Sequence, residues 1–391
     1  MHRKAASPGL PDPGAFPRSL GLDQSAEKRV LAMGGELKSS LCLLSGATAR
    51  MSEPLGSLSD PEEYRRYDRL VEKVMTDDAC RPEVVAHDLH PQYVSTLRAQ
   101  RLELPTIAVQ HHHAHIVSVI ADMGHDGPVV GICCDGVGYG TDGAAWGCEI
   151  MACDASGFER LSHLRYFPLI GGDAAAIHTW RPAVALLEQA YGPQWRENLP
   201  PAFARVPPAD LDVVEAALSR KVNAPLSSSL GRVFDAVSFM LGLCDKNEHE
   251  AQAAIALEAA ASGHSVEPYA YETITSDGSL TISVAPMVRA LVRDLRAERS
   301  ICTMSARFHE TVARMLAAGA VMGCEVSGVS TVALSGGCFA NRRLLGRLTE
   351  RLTDRGLTVL VSRRVSFGDD GLSLGQAFAA AAMYERTDAC A

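Results

Sequence analysis

The chain has 391 residues, long enough for two core-bearing domains, and 47% of them are hydrophobic against 21% charged. A formal net charge of −9 argues against a nucleic-acid partner, which calls for a basic face. No apolar run reaches membrane-spanning length, so no membrane association is expected.

The amino-terminal MHRKAASPGLPDPGAFPRSLG has no apolar segment of the secretory kind, and its Pro and Gly content predicts a flexible tail over residues 1–26. The eleven cysteines include no CxxC pair, which excludes zinc ribbons, and several lie inside apolar runs (Cys42, Cys133, Cys302) as reduced, buried thiols would. The expected compartment is the cytoplasm.

Arg29 to Lys38 followed by Leu41-Cys42-Leu43-Leu44 predicts a hairpin whose turn carries Gly34, Gly35 and Lys38. Residues 60–78 are charged with helical periodicity. Val84 to Pro91 is a short strand with a polar end, His87-Asp88-Leu89-His90; that end is either functional or a satisfied turn. A helix around Tyr93 to Arg101 leads to the extended Thr106–Val109 and then to Gln110-His111-His112-His113-Ala114-His115. On a helix, His111 and His115 stand one turn apart and point the same way, a spacing at which two imidazoles grip one metal ion or face a phosphate. His112 and His113 point elsewhere. The segment ends at Gly124.

A second glycine turn follows the buried strand at Val129–Cys134: Asp135-Gly136-Val137-Gly138-Tyr139-Gly140-Thr141-Asp142-Gly143, with a return strand at Trp146–Ala152. Gly171-Gly172-Asp173 before an alanine run predicts a helix start with Asp173 as cap. Arg181 beyond it faces either an anion or solvent. Ser229 to Asp235 opens an apolar helix, and Asp235 and Glu250 either bind ribose hydroxyls or belong to solvated faces. Thr331–Ser335 is a strand ending in Gly336-Gly337, then a helix with Leu345, Leu348 and Leu352 on one face. Gly336 and Gly337 serve either a nucleoside or close helix–strand packing. Asp369-Asp370-Gly371 opens a final alanine-rich helix.

Glycine-rich hairpin turns expose backbone N–H groups that form anion-binding concavities. Two such turns followed by a strand-end Gly-Gly make the layout of an actin-like ATPase: α/β, duplicated, two lobes about a central cleft. The lobes are expected at 27–127 and 128–391. A third, anionic ligand would complete the histidine pair, and Asp135 and Asp369 are the candidates; Asp135 could instead brace its own turn. The cluster is not HExxH, since His112 takes the second position, which argues against a zinc protease. No Ser-His-Asp or cysteine-based catalytic unit is legible, and Cys338 beside the glycine loop has no evident base.

QHHHAH, CDGVGYGTDGAAWG, GGDAAAIHTWRPA, SSSLGRVFDAV, ALSGGCFANRRLL and GDDGLSLGQA, with LAMGGELKSSLCL and AHDLHPQYVST, together resemble the carboxy-terminal catalytic module of the HypF family of hydrogenase maturation carbamoyltransferases. The resemblance runs from about Leu31 to Gln376. It implies an actin-like (ASKHA) fold and transfer of a carbamoyl group from carbamoyl adenylate, made from carbamoyl phosphate and ATP, to the carboxy-terminal cysteine of the partner HypE, on the way to the cyanide ligand of a nickel–iron hydrogenase. It implies one divalent metal, iron or zinc, at His111, His115, Asp135 and Asp369, and Mg with the nucleotide. It further implies Lys38 and Asp135 as catalytic beside the two histidines. The nucleotide would be contacted by Gly34, Gly35, Gly136, Gly138, Tyr139, Gly140, Gly171, Gly172, Asp173, Asp235, Glu250, Gly336, Gly337 and Asn341.

Full-length members of that family also carry acylphosphatase, zinc-finger-like and YrdC-like modules, for which this chain has no room. Three positions depart from the family pattern: Ser39 stands where Asn is expected after Lys38, Asp370 where Gly is expected after Asp369, and Ala251 where Gly is expected after Glu250.

Overall fold

The structure, a computed structural model, describes residues 16–78, 80–262, 266–276 and 279–389. The first sheet holds β1 (Arg18–Ala32), β2 (Cys42–Met51), β3 (Val84–Asp88) and β4 (Thr106–Val109) in the order β2-β1-β3-β4. Between these strands run α1 (Pro61–Thr76) and α2 (Val94–Ala99), and α3 (His111–Met123) follows β4.

The second sheet opens with β5 (Val129–Tyr139), β6 (Ala145–Cys153) and β7 (Phe158–Leu164). There follow β8 (Phe167–Pro168), α4 (Ala174–Ile177), α5 (Trp180–Tyr191), α6 (Pro208–Arg220), β9 (Leu226–Ser227), α7 (Leu230–Met240), α8 (Gln252–Ala260), β10 (Glu272–Ser276), β11 (Ser279–Ser283), α9 (Ala285–Arg296) and α10 (Ile301–Ser327). The chain closes with β12 (Thr331–Ser335), α11 (Arg342–Thr353), β13 (Thr358–Val361) and α12 (Leu372–Ala389). The main path is β10-β11-β7-β6-β5-β12-β13.

The two sheets repeat one pattern. β1 pairs antiparallel with β2 and parallel with β3, which is parallel to β4. β5 pairs antiparallel with β6 and parallel with β12, which is parallel to β13. This is the duplicated α/β, actin-like architecture expected from the two glycine-turned hairpins.

Helix α3 is buried from His111 to Asp122, as a helix enclosed on all sides must be. Its apolar residues Ile116, Val117, Val119 and Ile120 join Val30 and Leu44 of the first sheet and Val129 and Cys133 of the second in one core. Leu372, Leu374 and Phe378 of α12 complete that core. A Cβ on Gly375 would collide with the Ala114 carbonyl, so the two central helices meet backbone to backbone.

Three details differ from expectation. Residues 18–26, expected within the tail, form β1, with Arg18 opposite Met51; alternate burial of Leu20 and Leu22 carries the strand pattern there. Residues 1–15 of the expected tail lie outside the described residues. The last helix, grouped by sequence with the second lobe, packs on α3 and the first sheet, and Gly375 lets its backbone approach that of α3. On α11 the inward residues are Leu344, Leu348 and Leu352, with Leu345 half-buried.

Candidate metal and phosphate site

β4 delivers the chain into α3 with Gln110 as cap; its side-chain oxygen accepts the His113 N–H at 2.9 Å. His111 and His115 then present their Nε2 atoms to the same space. Asp135 enters from β5 and Asp369 from the turn that opens α12. His111 Nε2 lies 3.4 Å from Asp135 Oδ2 and 3.6 Å from Asp369 Oδ1; for His115 Nε2 the distances are 3.6 and 3.5 Å. All four ligand atoms fall within 4.8 Å of one another.

These separations bear on whether the cluster is a set of ion pairs or a cation seat. They are long for hydrogen bonds. Ligand atoms about 2.1 Å from a common tetrahedral centre would stand about 3.4 Å apart. Both Nε2 atoms are buried and have no hydrogen-bond partner. A buried polar atom left unmatched is costly, and a shared cation satisfies both at once. The donor set, two imidazoles and two carboxylates, fits a divalent transition ion.

The other nitrogen of His111 is fixed. Nδ1 donates to Asp88 Oδ2 at 2.8 Å, and Asp88 Oδ1 accepts the His90 N–H at 2.8 Å. Asp88 is fully buried at the end of β3. This carboxylate–histidine pair directs the lone pair of Nε2 toward the cluster. Burial works against charge on His111, but Asp88, Asp135 and Asp369 outweigh it and hold its pKa well above the usual imidazole value. His115 is raised likewise, against burial, by Asp135 and Asp369. The two aspartates are lowered in return: burial pushes them up and the histidines more than reverse it.

The other two histidines do not contribute. His112 packs near Trp146, and burial followed by the charge of His111 drives its pKa well down. His113 Nε2 bonds the Asp154 carbonyl at 2.7 Å beside Phe158.

The glycine turns surround the cluster. At Gly138 a Cβ would lie 2.6 Å from ring atoms of both His111 and His112. At Gly35 it would face Asp369 Oδ2 at 3.6 Å. Gly34, with φ +72°, is held by Gln376, whose Oε1 accepts its N–H at 2.8 Å. Gly337 donates its N–H to Asp135 Oδ1 at 2.9 Å, so Asp135 both faces the cluster and anchors the Gly-Gly turn. The space a Cβ would need at Gly336 (φ +100°) is filled by the Cys134 backbone, which is close strand packing. Gly136 has open space beside it and its carbonyl accepts the Ser229 hydroxyl at the start of α7. Gly140 closes the turn, its N–H donating to the Ala144 carbonyl at 2.9 Å. Tyr139 gives its carbonyl to Gln110 at 3.0 Å and its ring to the edge of His90.

Lys38, in the turn between β1 and β2, forms an ion pair with Glu250 at 2.7 Å. Burial opposes its charge, but Glu250, Asp370 and Asp369 raise its pKa.

Other expected contacts are engaged elsewhere. Asn341 caps α11 through the Leu344 N–H at 2.8 Å, and its amide reaches His309 Nε2 at 3.0 Å. Asp235 is buried, paired with Arg232 at 2.7 Å and Asn247 at 3.1 Å. Gly171 donates its N–H to the Asn223 carbonyl at 2.7 Å; a Cβ there would meet the Arg181 guanidinium, and one at Gly172 the Asn223 side chain. Asp173 occupies the cap position of α4 but its side chain accepts no cap hydrogen bond. Arg181 donates to the Ile170 carbonyl at 3.2 Å.

Comparison with known proteins gives the chain a lineage. The model of the HypF Kae1-like domain matches residues 25–122, and that of the carbamoyltransferase Kae1-like domain, second subdomain, matches residues 131–376. The chain belongs to the HypF carbamoyltransferase family. It is 40% identical to the carbamoyltransferase HypF homolog of Cupriavidus necator, over 90% of this chain and 91% of that one. It is 38% identical to carbamoyltransferase HypF2 of the same organism, over 94% of this chain and 48% of that one. The chain thus spans about half the length of HypF2. A crystal structure of full-length HypF in the phosphate- and nucleotide-bound form superposes with a TM-score of 0.89 at 36% identity, covering 94% of this chain and 57% of that one.

Proposed function

We propose that this HypF-family chain transfers a carbamoyl group from carbamoyl adenylate, formed from carbamoyl phosphate and ATP, to the carboxy-terminal cysteine of a HypE-like partner. The observation that carries the reading is the four-ligand cluster, with its two orphaned Nε2 atoms, ringed by glycine turns. Family membership and the phosphate and nucleotide bound by full-length HypF support it.

In this reading the partner's thiolate attacks the carbamoyl carbon. A carbon–sulfur bond forms, the bond to the adenylate oxygen breaks, and AMP leaves with the electron pair. The thiolate needs no activating base, so the enzyme's task is placement and charge stabilisation. His111, His115, Asp135 and Asp369 would hold a divalent cation, iron or zinc, that supplies a Lewis acid beside the carbamoyl and phosphate oxygens. Lys38, kept charged by its carboxylate neighbours, faces the departing phosphate beside the glycine turn at 136–143. Asp88 keeps the Nδ1 proton on His111. The reaction belongs to the cytoplasm in this reading; no helix among the described residues is long and apolar enough to cross a membrane.

The test is incubation with ATP and labelled carbamoyl phosphate, with and without a separate YrdC-like module. Partner protein or tRNA is offered as acceptor. Label on the partner's cysteine supports the proposal. Label on tRNA when labelled threonine and bicarbonate replace carbamoyl phosphate would instead make the chain a threonylcarbamoyl-type transferase, and label on no acceptor in either mixture a nucleotide-binding scaffold. A His111→Ala, His115→Ala double variant should keep its fold and lose both metal and transfer.

A further inference from the structure

Lys38 and Glu250 stand on opposite sides of the cleft. Lys38 lies in the turn between β1 and β2 of the first sheet, and Glu250 immediately precedes α8 in the second lobe. Their 2.7 Å ion pair ties the lobes together at the surface above the metal cluster. Asp369 and Asp370 add their charge to the same ammonium.

The backbone is unusual at one end of the tie and next to the other. Lys38 has φ +46° and Ala251, next to Glu250, has φ +58°. Side-chain-bearing residues adopt this left-handed region only under constraint from their surroundings. At Lys38 the constraint fixes where the side chain leaves the chain; on the other side it falls on the residue that follows Glu250. Neither partner is deeply buried, at 48% and 67% side-chain exposure. A pair so exposed is weak and readily exchanged. A phosphate carries more charge and more acceptor oxygens than a carboxylate and is the better partner for an ammonium.

We propose that Glu250 is an internal stand-in for the substrate phosphate: it holds Lys38 across the cleft until an anionic ligand displaces it. The inference rests on the reading that Lys38 faces phosphate. Glu250 then acts through Lys38 as a positioning residue, and arrival of the nucleotide opens one cross-lobe tie as it forms another.

This assigns a sign opposite to that of a ribose contact. A carboxylate that binds ribose strengthens nucleotide binding; one that occupies Lys38 competes with it. Calorimetric titration of the full chain with inorganic phosphate and with AMP separates the two. Glu250→Gln should bind both ligands more tightly, by up to about fivefold, the scale of an exposed ion pair. Glu250→Asp, which keeps the charge, should return toward the parent value, and Lys38→Gln should weaken both. Weaker AMP binding by Glu250→Gln with phosphate unchanged would overturn the stand-in in favour of a ribose contact. Unchanged binding of both ligands by Glu250→Gln, with Lys38→Gln still weakened, would overturn it while leaving the phosphate-facing lysine intact. Full phosphate affinity in Lys38→Gln would overturn the underlying reading itself.

Discussion

Replacing Asp88 by Asn tests whether the cluster is a metal seat or a set of mutually paired charges. Asp88 is fully buried and takes two hydrogen bonds, from His111 Nδ1 and from the His90 N–H, one on each oxygen. Asparagine is nearly the same shape but offers one acceptor where two are needed. If its oxygen stays with the His90 N–H, its NH2 points at His111 Nδ1 and forces the imidazole proton onto Nε2. That proton occupies the lone pair a metal requires. Loss of such an orienting partner costs about 10- to 100-fold in metal affinity, or about 1.4–2.7 kcal/mol. The assay is competition for Zn(II) and Fe(II) against a chelator, with circular dichroism to confirm the fold. Asp88→Asn with unaltered affinity for both ions would refute the reasoning, since the tautomer of His111 would then not matter.

Gly375→Ala should drive the central helices apart, because the new methyl meets the Ala114 carbonyl; a stability loss of about 1–3 kcal/mol in chemical denaturation, with weakened metal binding through displaced Asp369, is expected. Ala251→Gly should stabilise the chain by about 1 kcal/mol, read as a higher denaturation midpoint, since glycine relieves the φ +58° conformation. Asp122 has a lowered pKa: burial raises it, but the Arg364 and Arg363 N–H groups and the Arg364 guanidinium prevail. Its stabilising contribution is therefore complete above the ordinary carboxylate pKa and lost as pH falls through the lower folded value. Asp122→Asn should be less stable than the parent at pH 7, with the gap closing below about pH 4 in urea titrations at stepped pH.

What could be read from sequence followed local rules. The glycine turns were legible because Gly34 needs a positive φ and Gly138 a missing Cβ. The histidine spacing followed from helical geometry alone. The duplicated hairpins showed through their apolar runs and turn residues. The parts that escaped depend on distant partners. The strand end at Asp88 reads from sequence as either functional or a satisfied turn, and its role stays open there because its bond to His111 spans 23 positions. Asn341 sits beside the Gly-Gly turn, yet capping and His309 engage its side chain, and neither is visible without knowing which helix lies across from it. The return of α12 to the first sheet cannot be deduced from an alanine-rich segment, whose faces differ too little to name a partner.

That return has a consequence for how the protein is made. The chain leaves the ribosome amino-terminus first, and the first sheet, with α3, is complete early. Its core still lacks Leu372, Leu374 and Phe378, and its two histidines still lack Asp369. Neither the inner packing layer nor the full ligand set exists until residues 369–378 have emerged. Synthesis order thus delays full metal capture: a nascent chain can offer at most the two histidines and, later, Asp135. The four-ligand cluster arises only with α12, so that in the proposed reading loading with metal and closure of the central core would become one event.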